Sequence, residues 1–480
     1  MKTIKNYING QLVDAISGNM LPVYDPSIGS VYAKAPDSGD EDVIQAIDAA
    51  KKAFPAWSAT GINERSRVLS KIADLIEEKL DFLAEAESED NGKPLWLAKA
   101  VDIPRASSNF RYFAQAITQF SSHCYENVGN NSLNYTLKHP LGVVTCISPW
   151  NLPLYLFSWK IAPALAAGNT VVAKPSEVTP MTAYLLSQIC IEAGLPAGVL
   201  NIIHGYGDKV GKELTSNKHV KAISFTGSTR VGGEIAKIAA QNFKKVSLEM
   251  GGKNPNIIFA DCDYDKMLTN TIRSSFANQG QICLCGSRIL IERSIYDKFK
   301  NDFVNIAKRQ KVGHPRAEGT KFGAIVSKMH YDKILNYFEI AKSEGGVFLA
   351  GGHSVQPEGG EDGWYIAPTI IEGLNQQCRT NQEEIFGPVV TIEPFDTDLE
   401  ALEMANATQY GLSATVWTQN LTRAHTMAKD LEAGIVWINT WLNRDLRTPF
   451  GGVKNSGMGR EGGFDALDFF TEPKNVCIQL

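Results

Sequence analysis

Cys283 stands in the stretch SFANQGQICLCGSR, Ser275 to Arg288, after Asn278, Gly280 and Gln281 and between apolar neighbours. Upstream, in VSLEMGGKNP, Glu249 is a lone carboxylate in an apolar run that closes on a Gly-Gly-Lys turn. A thiol can bond to a carbonyl carbon and a carboxylate can take a proton from water. The two together have the makings of a nucleophile and a general base. Spacing alone leaves a plainer reading open, in which Cys283 is a small buried hydrophobe, as most free cysteines are.

A second set of residues falls where an α/β chain gathers its chemistry. From residue 140 the pattern alternates buried strand and helix, with strand runs at 143–148, 170–173, 199–203, 222–225 and 246–248. Continuous apolar strands separated by helices imply a parallel, doubly wound sheet. Ligands bind such sheets at the carboxyl ends of the strands. Those ends carry Trp150-Asn151, Lys174, Gly205 and Gly227-Ser228. Gly227 and Ser228 follow a strand and open a helix, where backbone N–H groups can hold phosphate and Ser228 can cap the helix or add a donor. Most strand-to-helix turns contain Gly and Ser for steric reasons, so the turn alone is weak evidence of a phosphate site. The Gly205 to Gly211 loop departs from GxGxxG spacing, so a dinucleotide fold here is a variant one. Lys174 and Glu177, in AKPSE, lie just past a strand end and could hold a ribose; a solvated loop charge is the plain alternative for each.

The chain has 480 residues, 44% hydrophobic and 21% charged, with a net charge of −5 and both signs interspersed. That length accommodates two or three domains. No basic face or tail points to nucleic acid or a membrane surface. Eight cysteines show no repeated spacing, and Cys283 and Cys285 lack a matching Cys or His pair, so no metal site is expected. The thiols read as reduced and the protein as cytoplasmic. The longest apolar stretch, 147–167, is broken by Pro149, Asn151, Pro153, Lys160 and Pro163, which argues against a membrane span.

Residues 5–35 read as short antiparallel strands around Asn9-Gly10 and Ser17-Gly18. Asp40 reads as an N-cap, with the following helix ended by Pro55. A helix at 103–120 turns Phe110, Phe113 and Ile117 inward and leaves Arg111 about 100° away from Phe110. A second α/β run begins near Gly251, with strands at 256–259, 289–292, 346–349, 369–372, 389–394 and 434–439. The expected domains are 1–118 with 140–250, then 251–450, with 119–139 and 451–480 as bridging segments. The stretches 125–138 and 475–480 look like exposed strands, which pair with something; the expectation is with each other and with a second subunit.

Seven stretches, ISPWNLP, AKPSE, ISFTGSTRVG, LEMGGKNP, FANQGQICLCGSR, EEIFGP and FGGVKNSGMGREGG, resemble the aldehyde dehydrogenase superfamily in order and over nearly the whole chain. The resemblance implies a variant Rossmann NAD-binding domain, a second α/β catalytic domain and a small β oligomerisation element. It makes Cys283 the nucleophile, since GQxC places it two residues after Gln281 and leaves Cys285 to packing or oxidation. It makes Glu249 the general base and gives the oxyanion hole to Asn151 and the Cys283 N–H. Lys174, Glu177, Gly227, Ser228 and Glu384 would hold NAD, with Trp150, Gly205 and Phe386 lining its pocket. Glu461, in GRE, matches a proton-relay position. Glu177 would accept from a free 2′-hydroxyl and repel a 2′-phosphate, which favours NAD over NADP. The carboxylate at 249 separates this branch from coenzyme-A-dependent relatives.

The run ICLC, NFRYF around Arg111 and WLNRDLRTPFGG around Arg444 look like the 2-aminomuconic and 2-hydroxymuconic semialdehyde dehydrogenases. Their substrates carry a carboxylate far from the aldehyde, which Arg111 and Arg444 would grip by charge-assisted hydrogen bonds. Arg447 competes with Arg444, and a surface salt bridge is the plain alternative for each. Rival readings are a succinic semialdehyde, betaine aldehyde or general aliphatic aldehyde dehydrogenase, and a non-catalytic structural or binding protein on this fold. The resemblance also implies a homodimer or homotetramer.

Overall fold

The computed structural model describes residues 1–480. Its largest sheet has eight strands, in the spatial order Gly457–Met458, Lys245–Glu249, Val220–Thr226, Val143–Ile147, Thr170–Lys174, Leu200–Ile202, Asn6–Ile8 and Gln11–Val13. The middle five run parallel, and the flanking strands are antiparallel. The register brings the carboxyl ends to one rim: Ile147 pairs with Lys174 and with Phe225, and Thr226 pairs with Glu249. Residues that follow these ends leave the sheet on the same side, so positions far apart in sequence meet there.

A second sheet of seven strands holds Pro255–Ile258, Arg288–Glu292, Val389–Phe395, Thr369–Glu372, Ser413–Trp417 and Ile435–Ile438 in parallel, with Val347–Ala350 antiparallel at one edge. The chain crosses from the first sheet to the second between Glu249 and Pro255. The strand at 413–417 was not expected, because Ser-Ala-Thr-Val-Trp lacks the run of large aliphatics that marked its neighbours. The largest apolar cluster spans both halves. It includes Phe110 and Phe113 of the helix Ile103–Ala116, Phe157 and Trp159 of the helix Pro153–Ala166, and Leu284, Cys285 and Trp441 from the second half. Each such side chain, fully buried, contributes about 1.5–3 kcal/mol.

Two local expectations differ. The helix Asp40–Ala59 starts from Gly39, with Asp42 Oδ2 accepting from the Gly39 N–H at 2.9 Å, and it runs through Pro55 rather than stopping there. The N-terminal strands divide between two sheets, Asn6–Ile8 and Gln11–Val13 extending the large one and Met20–Asp25 with Ser30–Pro36 forming another. The segments 125–138 and 475–480 do pair with each other: Thr471–Gln479 lies antiparallel to Ser132–Pro140, which also pairs with Cys124–Asn127. No helix is long and apolar enough to cross a membrane.

Candidate active site

Cys283 is presented by a strained turn. Asn278, Gln279 and Gly280 occupy the left-handed region in succession, with φ of 51°, 56° and 70°. Left-handed backbone at non-glycine residues persists only where the surroundings enforce it, and such strain clusters at functional sites. A Cβ on Gly280 would lie 2.1 Å from the Gly387 carbonyl, so only glycine fits. Past this reversal the chain makes a second turn, Cys285 N–H donating to the Ile282 carbonyl at 2.9 Å. Asn254 Nδ2 clamps that turn by donating to the carbonyls of Cys283 (2.7 Å) and Cys285 (2.9 Å).

The turn sets Cys283 between two hollows. One, of about 340 Å³, is lined by Glu249, Asn278, Leu284, Trp441, Arg444, Phe450 and Glu461 among others. The other, of about 20 Å³, is lined by Gly252, Glu384 and Phe386. Cys283 borders both, whereas Cys285 borders only the smaller and belongs to the apolar core. Burial, and then the charges of Glu384 and Glu249, push the Cys283 thiol well above its usual range. Burial likewise pushes the Cys285 thiol to about 12.

Glu249 ends its strand and is 3% exposed, with both carboxylate oxygens unpartnered. Gly451, whose φ is 157°, lets the carboxylate sit close, since a Cβ there would be 2.8 Å from Oε1. Burial, then the Glu461 charge, raises the Glu249 carboxyl well above the usual carboxylate range against the opposing pull of Lys160, Arg460 and Arg444. Glu461 is fixed: its Oε1 accepts from buried Lys160 Nζ at 2.6 Å and from Ser224 Oγ at 3.1 Å. Lys160 has no counterpart in the residues singled out from sequence, because a lysine within an apolar helix offers no clue to its partner.

Asn151 is buried where the strand Val143–Ile147 passes into the helix Pro153–Ala166. Its Nδ2 donates to the Gln281 carbonyl at 2.9 Å, and its own carbonyl accepts from Asn278 Nδ2 at 3.0 Å. The amide donor therefore lies on the chain two residues before the thiol.

Lys174 and Glu177 form an ion pair of 2.9 Å at the next strand end. Burial acts to raise the Glu177 carboxyl, but the charge and hydrogen bond of Lys174 outweigh it and leave it below the usual range. Ser228 caps the helix Thr229–Gln241, its Oγ accepting from Val231 N–H at 3.4 Å. Gly227 abuts the Phe225 ring at a distance where a Cβ would clash, and Gly205 packs on Ser38 and Val210. Those two glycines thus have packing reasons of their own. Trp150 meets Phe386 edge-on at 5.2 Å and His330 at 4.9 Å. Phe386 has a φ of 63°, and its carbonyl accepts from His330 Nε2 at 2.7 Å. His330, missed from sequence, is kept neutral by burial, with its pKa lowered to about 4. Glu384 is turned inward, its Oε1 accepting from Gly252 N–H at 2.9 Å.

The arginines divide. Arg444 lines the large hollow, donates from Nη1 to Tyr155 Oη at 2.8 Å and lies 4.0 Å over the Phe450 ring. Arg447 is paired outside it with Asp445 at 2.6 Å. Arg111 does not reach the hollow, which corrects the expectation for it. It lies on the outer face of its helix, bound to Asp74 at 3.0 Å and Glu77 at 2.8 Å, beside Ser107, which also donates to Glu77. Arg105, six residues earlier, faces the other way. It shares a face with Asn109, whose Nδ2 donates to the Tyr155 carbonyl, and its guanidinium lies 5.5 Å from the Tyr155 ring. Its Nε and Nη2 are buried without partners. Tyr155 thus joins Arg105 and Arg444.

The aldehyde dehydrogenase family matches residues 12–476, and the chain belongs to that family. It is similar to a 2-aminomuconic semialdehyde dehydrogenase of Danio rerio, 49% identical over 479 residues, 99% of this chain and 98% of that protein. A 2-hydroxymuconic semialdehyde dehydrogenase of Pseudomonas sp. strain CF600 is 45% identical, with 100% of each chain covered. The NAD+ complex structure of an aldehyde dehydrogenase from Bacillus cereus aligns with a TM-score of 0.97 at 39% identity, over 99% of this chain and 96% of that one. The family and fold class read from the seven motifs are thereby borne out, and the chain is an oxidoreductase acting on aldehydes.

Proposed function

We propose that this enzyme oxidises a carboxylate-bearing semialdehyde of the muconic type with NAD, through a thioester on Cys283. The observation that carries this reading is Arg444 lining the same hollow as Cys283 and Glu249, with Arg105 unpartnered behind the shared Tyr155. An anionic group entering the hollow would meet Arg444 directly and would give Arg105 the acceptor it lacks. The relatives named for muconic semialdehydes point to the same substrate class.

Cys283 gives up its proton to solvent, and its thiolate Sγ bonds to the aldehyde carbon as the carbonyl π bond opens onto oxygen. The oxygen becomes anionic there, and Asn151 Nδ2 with the Cys283 N–H stabilises it, each donor typically worth ~3 kcal/mol. Held by Lys174, Glu177 and Ser228 at the sheet rim, NAD would supply the acceptor for the hydride of that adduct. The thioester left on Cys283 is attacked by water whose proton goes to Glu249, and the acid departs as the sulfur regains its charge. Glu461, hydrogen-bonded to Lys160 and Ser224, takes the proton onward from Glu249. Raised above the usual carboxylate range by burial and by the Glu461 charge, the Glu249 carboxylate is a stronger base than an ordinary one, which suits it to take a proton from water.

The rim of the large sheet fits a dinucleotide. Lys174 and Glu177 offer a cation and an ionised carboxylate for a ribose, and Ser228 opens a helix N-terminus for a phosphate. Trp150 and Phe386 supply an apolar wall beside Glu384. Residues 1–118 and 140–250 form the NAD-binding domain on this reading and 251–450 the catalytic one. The sheet of 119–139 with the C-terminal strand joins subunits of a homodimer or homotetramer.

The test is a panel of semialdehydes with and without a terminal carboxylate, matched in length. Arg444→Ala and Arg105→Ala should each raise KM for the carboxylated members about tenfold or more, as expected for a lost hydrogen bond to a charged group, and change it little for neutral ones. Equal effects on both sets would overturn the substrate class.

A further inference from the structure

The turn that carries Asn151 is fastened by a buried charged group that no step above uses. The helix Leu80–Asn91 ends at Gly92, in the left-handed region with φ 80°, and the chain returns to Lys93. Lys93, Glu87 and Asp102 have fully buried side chains. Lys93 Nζ donates to Asp102 Oδ1 at 2.6 Å and to the Asn151 carbonyl at 3.3 Å, and lies 3.6 Å from Glu87 Oε1. Asn91 Nδ2 donates to the Trp150 carbonyl at 2.9 Å and reaches that of Asn151 at 3.5 Å. Glu87 Oε2 accepts from Leu154 N–H at 3.4 Å. Backbone groups on both sides of Asn151 are therefore held by side chains from a single helix end and the turn behind it.

Asp102 carries the cluster to the substrate. It ends a π-helical turn, Ala98–Asp102, and lines the large hollow with Leu97 and Val101. Such turns are frequent at functional sites. Two carboxyls and an ammonium taken wholly out of water are a poor way to gain stability, since apolar side chains of similar volume would avoid the desolvation cost. What charge supplies and packing does not is a directed hydrogen bond to a backbone carbonyl.

We infer that Lys93, assisted by Asn91, is a positioning residue for the oxyanion donor: Lys93 holds the carbonyl of Asn151 while Asn91 holds that of Trp150, and Lys93 ties the Asn151 backbone, through Asp102, to the substrate cavity wall. The inference rests on the reading of Asn151 as an oxyanion donor. A small misplacement of a catalytic group by a distant change can slow a reaction about 10²-fold, whereas a purely structural lysine would alter stability and leave the relation to Asn151 untouched.

The experiment is a double-mutant cycle on the rate of the first-turnover NADH burst, at saturating NAD and a neutral aldehyde. Asn151→Ala should slow the burst about 10²–10³-fold. Lys93→Met should slow it by about 10–10²-fold with KM values within roughly threefold of the parent. In the Asn151→Ala background, Lys93→Met should add less than about twofold, because residues acting through one another are not additive. Full multiplication of the two effects would overturn the inference while leaving the role of Asn151 intact. An unchanged burst in Asn151→Ala alone would overturn both. If Lys93→Met does not fold, Asn91→Ala goes through the same cycle with the same expectation and the same contradicting result.

Discussion

Two thiols two residues apart pose the question of the nucleophile most sharply. Cys283 borders both hollows, while Cys285 lies in the core beside only the smaller one. Cys283→Ser should abolish aldehyde oxidation, and Cys285→Ala should retain it within a few-fold. Steady-state assay of the two variants checks this, and loss in the Cys285 variant alone would reverse the assignment. The base is legible in its pH dependence. Because the Glu249 carboxyl is raised, its proton-accepting form is scarce at low pH and grows as pH rises. Deacylation, and kcat where that step limits, should climb as pH rises over a range displaced above that of an ordinary carboxylate. A flat kcat across that range would mean that another group takes the proton.

Helix faces explain what could be read from sequence and what could not. The motif order singled out Cys283 and Glu249 as candidates, and the strand ends at Lys174, Phe225 and Glu249 fall in register as the alternation of apolar runs implied. Arg111 was expected in the hollow and lies outside it, because Arg105 and Arg111 both lie near apolar positions and only the neighbouring helices decide which face is which. Arg111 is 35% exposed and held by two carboxylates, so Arg111→Ala should leave KM unchanged for every aldehyde and cost about 0.5–1 kcal/mol of stability. Thermal unfolding together with KM determination separates it from Arg105→Ala. His330 and Lys160 were illegible for a related reason. Their partners, the Phe386 carbonyl and Glu461, are brought to them only by tertiary packing.

At the scale of the molecule, the turn at 278–285 belongs to both halves: it follows the second half's helix Tyr264–Phe276, yet Ile282, Leu284 and Cys285 pack into the apolar cluster of the first sheet. The C-terminal strand Thr471–Gln479 leaves that core to cover Ser132–Pro140, and Tyr125, Val128 and Leu480 remain exposed around it. Sheet edges with exposed apolar residues invite pairing between chains. Sedimentation of the full chain should give a dimer or tetramer mass, and removal of residues 471–480 should lower it; a monomer for the full chain would contradict the bridging role. The whole scheme turns on a thioester that forms on Cys283 and is released by Glu249. Its most direct test is rapid-mixing measurement of NADH formation by Glu249→Gln. The expected result is one burst equivalent per site, followed by turnover slowed at least about 10²-fold. A steady-state rate equal to that of the parent enzyme would contradict it.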